Sequence, residues 1–254
     1  MRRSHALGLI AAACWDGWRL LASRIEDATG LLLLGAVAIG LWAAGRATRD
    51  APIGTGLLSV LLCLYAAATL TGPALLQIAA AMIAVVIVAV PGAARSLPRV
   101  PLLAAALLAL PILPTMDFLL AYPLRRASAM LTVSLLQMNG LSVRLQGVAL
   151  DWHGRLIQFD APCSGVRMLW AALLLASIVS IAGRFSTARY GLLLGVALAA
   201  AVIGNGVRAA SLFYLETGLL TPGLPWAHEA IGIVAFAFIA AAIVSGSRWK
   251  ARTS

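Results

Sequence analysis

Long apolar blocks, separated by short polar or charged stretches, dominate the pattern along this chain. The blocks are about 16 to 22 residues long, which is the length of helix that spans a bilayer. They lack the period-two alternation of membrane barrel strands, so helices are predicted. Eight segments are predicted, at residues 6–22, 30–45, 52–70, 73–94, 100–121, 164–182, 190–208 and 228–246.

Two features of the pattern modify this count. Asp16 and Arg19 lie within the first segment, so a helix on the membrane surface is the alternative to a span at 6–22. Prolines cluster around the fourth and fifth segments and predict that these helices kink or end there. The cluster consists of Pro91, Pro98, Pro101, Pro111 and Pro114.

The one sizeable segment predicted outside the membrane runs from 122 to 162. Apolar positions recur there at helical spacing and predict an amphipathic surface helix over 124–138; they are Leu124, Ala127, Met130, Leu131, Leu135 and Met138. The alternation over 141–146 predicts a strand, and His153-Gly154 predicts a solvated turn before a returning strand at 156–159. A short hairpin would then lead the chain to the sixth span.

Composition supports an all-α fold class, a polytopic integral membrane helical bundle with about eight transmembrane helices. The 254 residues are 62% hydrophobic and 11% charged, whereas soluble chains carry roughly a quarter charged residues. Mean hydropathy is +0.96. A single membrane domain is predicted over 1–254, with an amphipathic-helix and hairpin insertion on the outer face. Within it, 1–121 holds about five spans, 122–162 is extracytoplasmic, and 163–254 holds three spans and a basic tail.

The net charge of +10 is interpreted as a topology signal. Arginine and lysine gather at alternate ends of the predicted spans, so eight spans place every cluster on one side. The positive-inside rule makes that side cytoplasmic, with both termini inside and residues 122–162 outside. No basic surface remains for nucleic acid, and no such partner is predicted. The clusters are Arg2 and Arg3; Arg46 and Arg49; Arg95 and Arg99; Arg184 and Arg189; and Arg248, Lys250 and Arg252.

Cys163 is the first of three residues with candidate chemistry on the outer side. It follows Pro162 and precedes Ser164, Gly165 and an apolar helix. A helix N-terminus favours a thiolate, the reactive form of a nucleophilic cysteine. Gly165 leaves room for a substrate backbone to approach. The alternative is a buried, inert cysteine, as expected for Cys14 and Cys63 within apolar helices, and no disulfide framework is implied.

Arg208 and His228 are the other two. Asn205 and Arg208 are three residues apart and share a helix face. An arginine at membrane depth usually faces the protein interior, where it can hold a carbonyl oxygen and stabilise negative charge; the alternative is that it reaches the headgroups. His228 begins the last span and can exchange a proton with a thiol, unless it is an interfacial or capping histidine. No residues show metal-ligand spacing, so neither a metal nor a cofactor is predicted.

These motifs resemble those of the exosortase/archaeosortase family of membrane cysteine transpeptidases. The resemblance rests on the ordered runs APCSGVR at 161–167, NGVR at 205–208 and HEAIG at 228–232. It implies that Cys163 is the nucleophile, Arg208 stabilises the oxyanion or intermediate, and His228 is the acid/base. Supporting or substrate-binding roles are implied for Ser164, Gly165, Arg167 and Asn205.

The resemblance also implies the partners. Substrates would be exported proteins whose C-terminal tail has a short motif, a transmembrane helix and a basic cluster, in the inner membrane of bacteria that often produce exopolysaccharide. The predicted function is cleavage of these tails at the outer membrane face through a thioester. One alternative is a transporter or assembly subunit for cell-envelope polysaccharide, which would not need Cys163. Another is a membrane acyltransferase that carries a lipid acyl group on Cys163.

Overall fold

The computed structural model of the chain describes residues 1–24, 52–90, 98–157, 165–219 and 226–248, together with Gly35 and Ala38. The predicted span at 30–45 therefore lies almost wholly outside the described residues, as do Cys163 and Ser164. Two compact units are formed, 1–112 with 180–190 and 113–179 with 191–254. The elements are α1 (Arg3–Ala13), α2 (Trp15–Ser23), α3 (Thr55–Thr71), α4 (Ala74–Ala89), α5 (Arg99–Leu108), α6 (Leu113–Met138), β1 (Val143–Gln146), β2 (Ala149–Trp152), β3 (Arg155–Ile157), α7 (Val166–Ala182), α8 (Thr187–Glu216) and α9 (Ala227–Arg248).

Two of the described helices, α8 and α9, are long and apolar enough to cross a membrane. Helices α5 and α6 would make a third span if the two are counted together as one span. The apolar helices α3, α4 and α7 have 17, 16 and 17 residues. At 1.5 Å per residue they are about 24–26 Å long, shorter than a hydrocarbon core of about 30 Å. The helical, apolar architecture agrees with the predicted fold class, whereas the count of eight spans is not confirmed.

In the first unit, the segment predicted at 6–22 forms two helices rather than one. Helix α1 ends at Ala13, and α2 begins at Trp15. The Tyr65 hydroxyl of α3 accepts the Gly17 N–H at 3.0 Å and the Gln77 amide N–H at 3.1 Å. Because Gly17 lies in the first turn of α2, where N–H groups lack intrahelical partners, Tyr65 caps this helix.

Two basic residues meet at the C-terminal end of α4. Arg3 donates to the Val88 carbonyl at 2.8 Å, and Arg99 donates to the Ile87 carbonyl at 2.7 Å. Positive charge is favourable at a helix C-terminus. Burial first, and then the charge of Arg99, lowers the pKa of the Arg3 guanidinium. Arg3 and Arg99 thus lie at the same end of α4. They belong to two basic clusters that were predicted to lie on the same side of the membrane.

The fifth predicted span is broken. Helix α5 ends at Leu108 and α6 begins at Leu113, with Pro111 in the break. Proline lacks an N–H and cannot continue the helical hydrogen bonds, so the proline cluster did mark an interruption. Helix α6 then continues to Met138 with Pro123 inside it. The amphipathic helix predicted at 124–138 is therefore the second half of α6 and not a separate element.

None of the six apolar positions named for 124–138 is buried in the structure. Met130 and Met138, assigned to the apolar face, are 54% and 83% exposed. Ser128 and Thr132 are 4% and 0% exposed. The physical reason is that Ser128 and Thr132 make hydrogen bonds to α8.

The segment after α6 is a three-stranded antiparallel sheet, not the two-stranded hairpin that was predicted. The loop at 147–148 joins β1 to β2, and His153-Gly154 joins β2 to β3. His153 and Gly154 both have positive φ, 54° and 78°, as the two-residue turns that match strand twist require. One face of the sheet packs on α6 and α8 through a core of Val133, Leu136, Val143, Leu150, Ile157, Ala210 and Phe213.

Candidate functional site

The described candidate residues lie on α8 and near the starts of α7 and α9, in the second unit. Helices α8 and α9 run antiparallel, because contacts near the start of α8 involve the end of α9. A Cβ added at Gly246 would lie 3.4 Å from Val196, one at Gly204 would lie 2.8 Å from Ile239, and one at Gly232 would lie 3.6 Å from Arg208. This order brings the Arg208 turn of α8 to the start of α9.

Gly165 and Asn205 are in direct contact at the start of α7. Gly165 has a φ of +79°, and a Cβ added there would lie 2.8 Å from Asn205 Nδ2. Its carbonyl accepts the Leu169 N–H at 2.9 Å, which makes Gly165 the residue that precedes the first turn of α7. Backbone conformation and close packing both require glycine here. The Asn205 side chain, only 2% exposed, therefore lies against the backbone of the Gly165 turn.

Asn205 is held from its other side by α6. Its Nδ2 donates to Ser128 Oγ at 2.9 Å. One turn further along α6, Thr132 Oγ1 lies 2.8 Å from the Ser128 carbonyl and 3.1 Å from the Gly206 carbonyl of α8. These contacts use two adjacent residues of α8 and two residues one turn apart on α6. Asn205 thus connects α6 to the start of α7.

The Arg208 side chain reaches α9 at Gly232. Arg208 is 9% exposed, and the closest atom to the position of a Gly232 Cβ is Arg208 Nε, at 3.6 Å. The absence of a side chain at 232 lets the guanidinium lie beside α9. Fixed donors in a water-poor site stabilise developing negative charge more strongly than donors in bulk water. Arg208 can therefore act as an electrostatic stabiliser of an oxyanion.

His228 is exposed and precedes Gly232 by four residues, so it lies on the same face of α9 one turn earlier. The rise of four helical residues is about 6 Å, which places His228 and the Arg208 contact on successive turns. Arg167, given a supporting role by the resemblance, is exposed near the start of α7. Because Cys163 and Ser164 lie outside the described residues, the convergence of Cys163, Arg208 and His228 stays a prediction. Across the described ranges, no group of three or more His, Cys, Asp or Glu side chains could hold a metal ion.

Sequence reasoning missed the contribution of Ser128 and Thr132. Neither residue was given a role in packing, although both are buried and bond to α8. A signal was present, since small and hydroxyl-bearing residues spaced four apart in an apolar helix are typical of helix–helix contacts in membranes.

One of three comparisons with known proteins finds a match. No curated protein and no solved structure matches the chain significantly. The family profile described as Transmembrane exosortase (Exosortase_EpsH) matches residues 5–245. This match covers nearly the whole chain and confirms the family resemblance seen in the three motifs. The chain therefore belongs to the transmembrane exosortase family.

Proposed function

We propose that this exosortase is a membrane-embedded cysteine protease and transpeptidase that cleaves C-terminal sorting tails of exported proteins. Membership of the family supports a membrane transpeptidase role. The observation that carries the residue assignment is the contact between Asn205 and Gly165. Gly165 follows Cys163 by two residues, and consecutive Cα atoms are 3.8 Å apart, so the two Cα atoms are at most about 8 Å apart. Cys163 is therefore two residues from a glycine whose backbone is in contact with Asn205.

The proposed reaction is acyl transfer in two steps. The Cys163 thiolate attacks the scissile carbonyl carbon, and the Arg208 guanidinium stabilises the negative charge that develops on the carbonyl oxygen. The C–N bond breaks, His228 gives a proton to the leaving amine, and a thioester remains on Cys163. An acceptor amine or water then attacks the thioester carbonyl, His228 takes the proton that this acceptor loses, and the Cys163 thiolate is released. The exposed position of His228 supports a step in which an acceptor approaches from water.

The proposed substrate is an exported protein whose C-terminus has a short motif, a transmembrane helix and a basic tail. A cut at the lipid–water boundary releases the exported part while the tail helix stays in lipid. The positions of two residues suit a cut at this boundary. Gly165 lies at the start of α7 and His228 at the start of α9, and membrane helices begin near the lipid–water boundary. The reaction needs only groups that this chain carries, namely a thiol, a guanidinium and an imidazole.

The proposed location is the bacterial inner membrane, with both termini in the cytoplasm and the site on the outer face. The meeting of Arg3 and Arg99 at one end of α4 supports a shared side for two basic clusters. Ser142 should then be outside and Thr187 inside; both are exposed. Single-cysteine variants at these positions should react with a membrane-impermeant maleimide in intact cells only at 142. Labelling at 187 from outside would reject this topology.

Cys163→Ala tests the proposed function. Processing of a co-expressed substrate tail should stop while the amount of enzyme in the membrane is unchanged. Cys63→Ala is the matched control, because Cys63 is exposed on the apolar helix α3 and is not placed in the reaction. Full processing by Cys163→Ala would refute the enzymatic proposal and favour a transporter or assembly subunit. Loss of processing only in Cys163→Ala would exclude that alternative.

A further inference from the structure

Ser128 is a polar side chain in an unexpected environment. It is 4% exposed on α6, a helix that otherwise buries mainly apolar or small residues, and its hydroxyl faces α8. Serine in a helix interior usually returns its hydroxyl to a carbonyl of its own helix, as Ser134 does to Met130 at 3.0 Å. Ser128 Oγ instead accepts the Asn205 amide N–H at 2.9 Å. The sequence match and the three candidate catalytic residues assign no role to this contact.

We propose that Ser128 is a positioning residue that holds the Asn205 amide against Gly165 and thereby fixes the backbone at Gly165, two residues after Cys163 in the sequence. This inference rests on the proposed function, because it gives Ser128 a role at the same thiol. It adds a residue from α6, outside all three motifs, to the proposed site.

The geometry supports an effect of Ser128 on Gly165 that acts through the Asn205 amide. The same nitrogen, Nδ2, donates to Ser128 and is the closest atom to the position that a Gly165 Cβ would occupy, at 2.8 Å. Asn205 Cγ is 3.0 Å from that position, so the plane of the amide and not only its tip lies against the turn. Rotation of the amide about its last torsion angle would therefore change the surface on which Gly165 rests. Ser128 opposes this rotation because its oxygen accepts a hydrogen from Nδ2.

A positioning role for Ser128 can be distinguished from a purely structural role by comparison with Thr132, a second residue of α6 that bonds to α8. Thr132 also bonds α6 to α8, but its partner is the Gly206 backbone carbonyl and not the Asn205 side chain. Thr132→Val keeps the shape of the side chain and removes that bond between the helices. Ser128→Ala removes the oxygen that accepts the Asn205 amide N–H, and with it only one side-chain atom. If the two bonds only hold helices together, both variants should behave alike.

The test measures the rate at which a small alkylating reagent modifies Cys163 in purified enzyme that also carries Cys14→Ala and Cys63→Ala. No substrate is needed, so the result does not depend on identifying one. Ser128→Ala should change the rate by about threefold or more, the lower end of coupling between residues in contact. Ser134→Ala should leave it unchanged, and Thr132→Val should change the melting temperature more than the rate.

A double-mutant cycle identifies the route. If Ser128 acts through Asn205, Ser128→Ala should add little to the effect of Asn205→Ala on the alkylation rate. Melting temperatures of all variants would separate loss of fold from loss of positioning. The proposal is overturned if Cys163 in the Ser128→Ala variant is alkylated at the same rate as in Ser134→Ala, or if Thr132→Val changes that rate as much as Ser128→Ala does. It is also overturned if the effects of Ser128→Ala and Asn205→Ala on the rate multiply in the double variant.

Failure of the positioning role of Ser128 is distinguishable from failure of the proposed enzymatic function. Where Cys163→Ala still processes substrate, the enzymatic proposal fails whatever the alkylation rates are. Where Cys163→Ala is inactive and Ser128→Ala is unchanged in alkylation, the enzyme stands and the positioning role falls. With an identified substrate, Ser128→Ala should lower kcat by about tenfold with little change in KM, less than the ~10²-fold that a misplacement of about 1 Å can cost.

Discussion

The contact between Gly165 and Asn205 makes a quantitative prediction for Gly165→Ala, with Gly140→Ala as the matched control. The two glycines have almost the same φ, +79° and +81°. Alanine at either position must adopt positive φ at a cost of about 1–2 kcal/mol, and each substitution restricts the unfolded chain to the same extent. Nothing lies within 4 Å of a Gly140 Cβ. The comparison therefore isolates the packing against Asn205.

The difference in stability follows from the distances. A Gly165 Cβ would lie 2.8 Å from Nδ2, 3.0 Å from Cγ and 3.4 Å from Cβ of Asn205. Carbon atoms in optimal contact are about 3.5–4.0 Å apart. Asn205 is buried and bonded to Ser128, so it cannot move away without losing that bond. Overpacking of this kind costs about 1–3 kcal/mol, and Gly165→Ala should be less stable than Gly140→Ala by that amount.

Unfolding of the two variants in mixed micelles measures this difference directly, and Cys163 alkylation measures its consequence at the site. Gly165→Ala should change the alkylation rate, whereas Gly140→Ala should not, since Gly140 lies in the turn after α6. Equal stabilities together with equal alkylation rates would refute the close contact between Asn205 and the Gly165 turn. They would also remove the structural basis for connecting Cys163 to α8.

Three further predictions concern α8 and α9. Gly206→Ala would place a Cβ 2.6 Å from Leu131 and should be less stable than Gly195→Ala, which meets nothing within 4 Å, by about 1–3 kcal/mol; equal melting temperatures would contradict this packing. Arg208→Lys loses the planar fork and should reduce substrate processing by about 10²-fold, whereas unchanged turnover would mean that Arg208 only reaches the headgroups. His228→Ala should slow both Cys163 alkylation and turnover, the latter by about 10²- to 10⁴-fold, and normal values of both would remove His228 from the mechanism.

Much of the chain could be predicted from sequence because membrane helices and tight turns have local causes. The apolar run of α9 is bounded by the same residues, within two positions, in sequence and structure. The His153-Gly154 turn follows from residues that tolerate positive φ. Pro111 lies in a helix break because proline lacks an N–H wherever it occurs. Family membership followed from three short motifs whose order along the chain is specific.

Other features depend on which surfaces meet, and here sequence reasoning was insufficient. The apolar spacing over 124–138, which includes Met130, predicted a helix on the membrane surface and gave Ser128 no role in packing. Around a membrane protein, lipid is as apolar as a leucine side chain, so apolarity does not decide which face packs on protein. Small and hydrogen-bonding residues decide it instead, and the structure buries Ser128 and Thr132 while exposing Met130.

The sequence by itself determined the family, the helical class and the residues with candidate chemistry. Only the tertiary structure brought Ser128 of α6 to Asn205 of α8, and Asn205 to Gly165 at the start of α7. These contacts join residues 77 and 40 positions apart, and no local pattern encodes such pairs. They form because glycine at 165 leaves room for the Asn205 amide, and because a buried amide needs a hydrogen-bond partner that Ser128 provides.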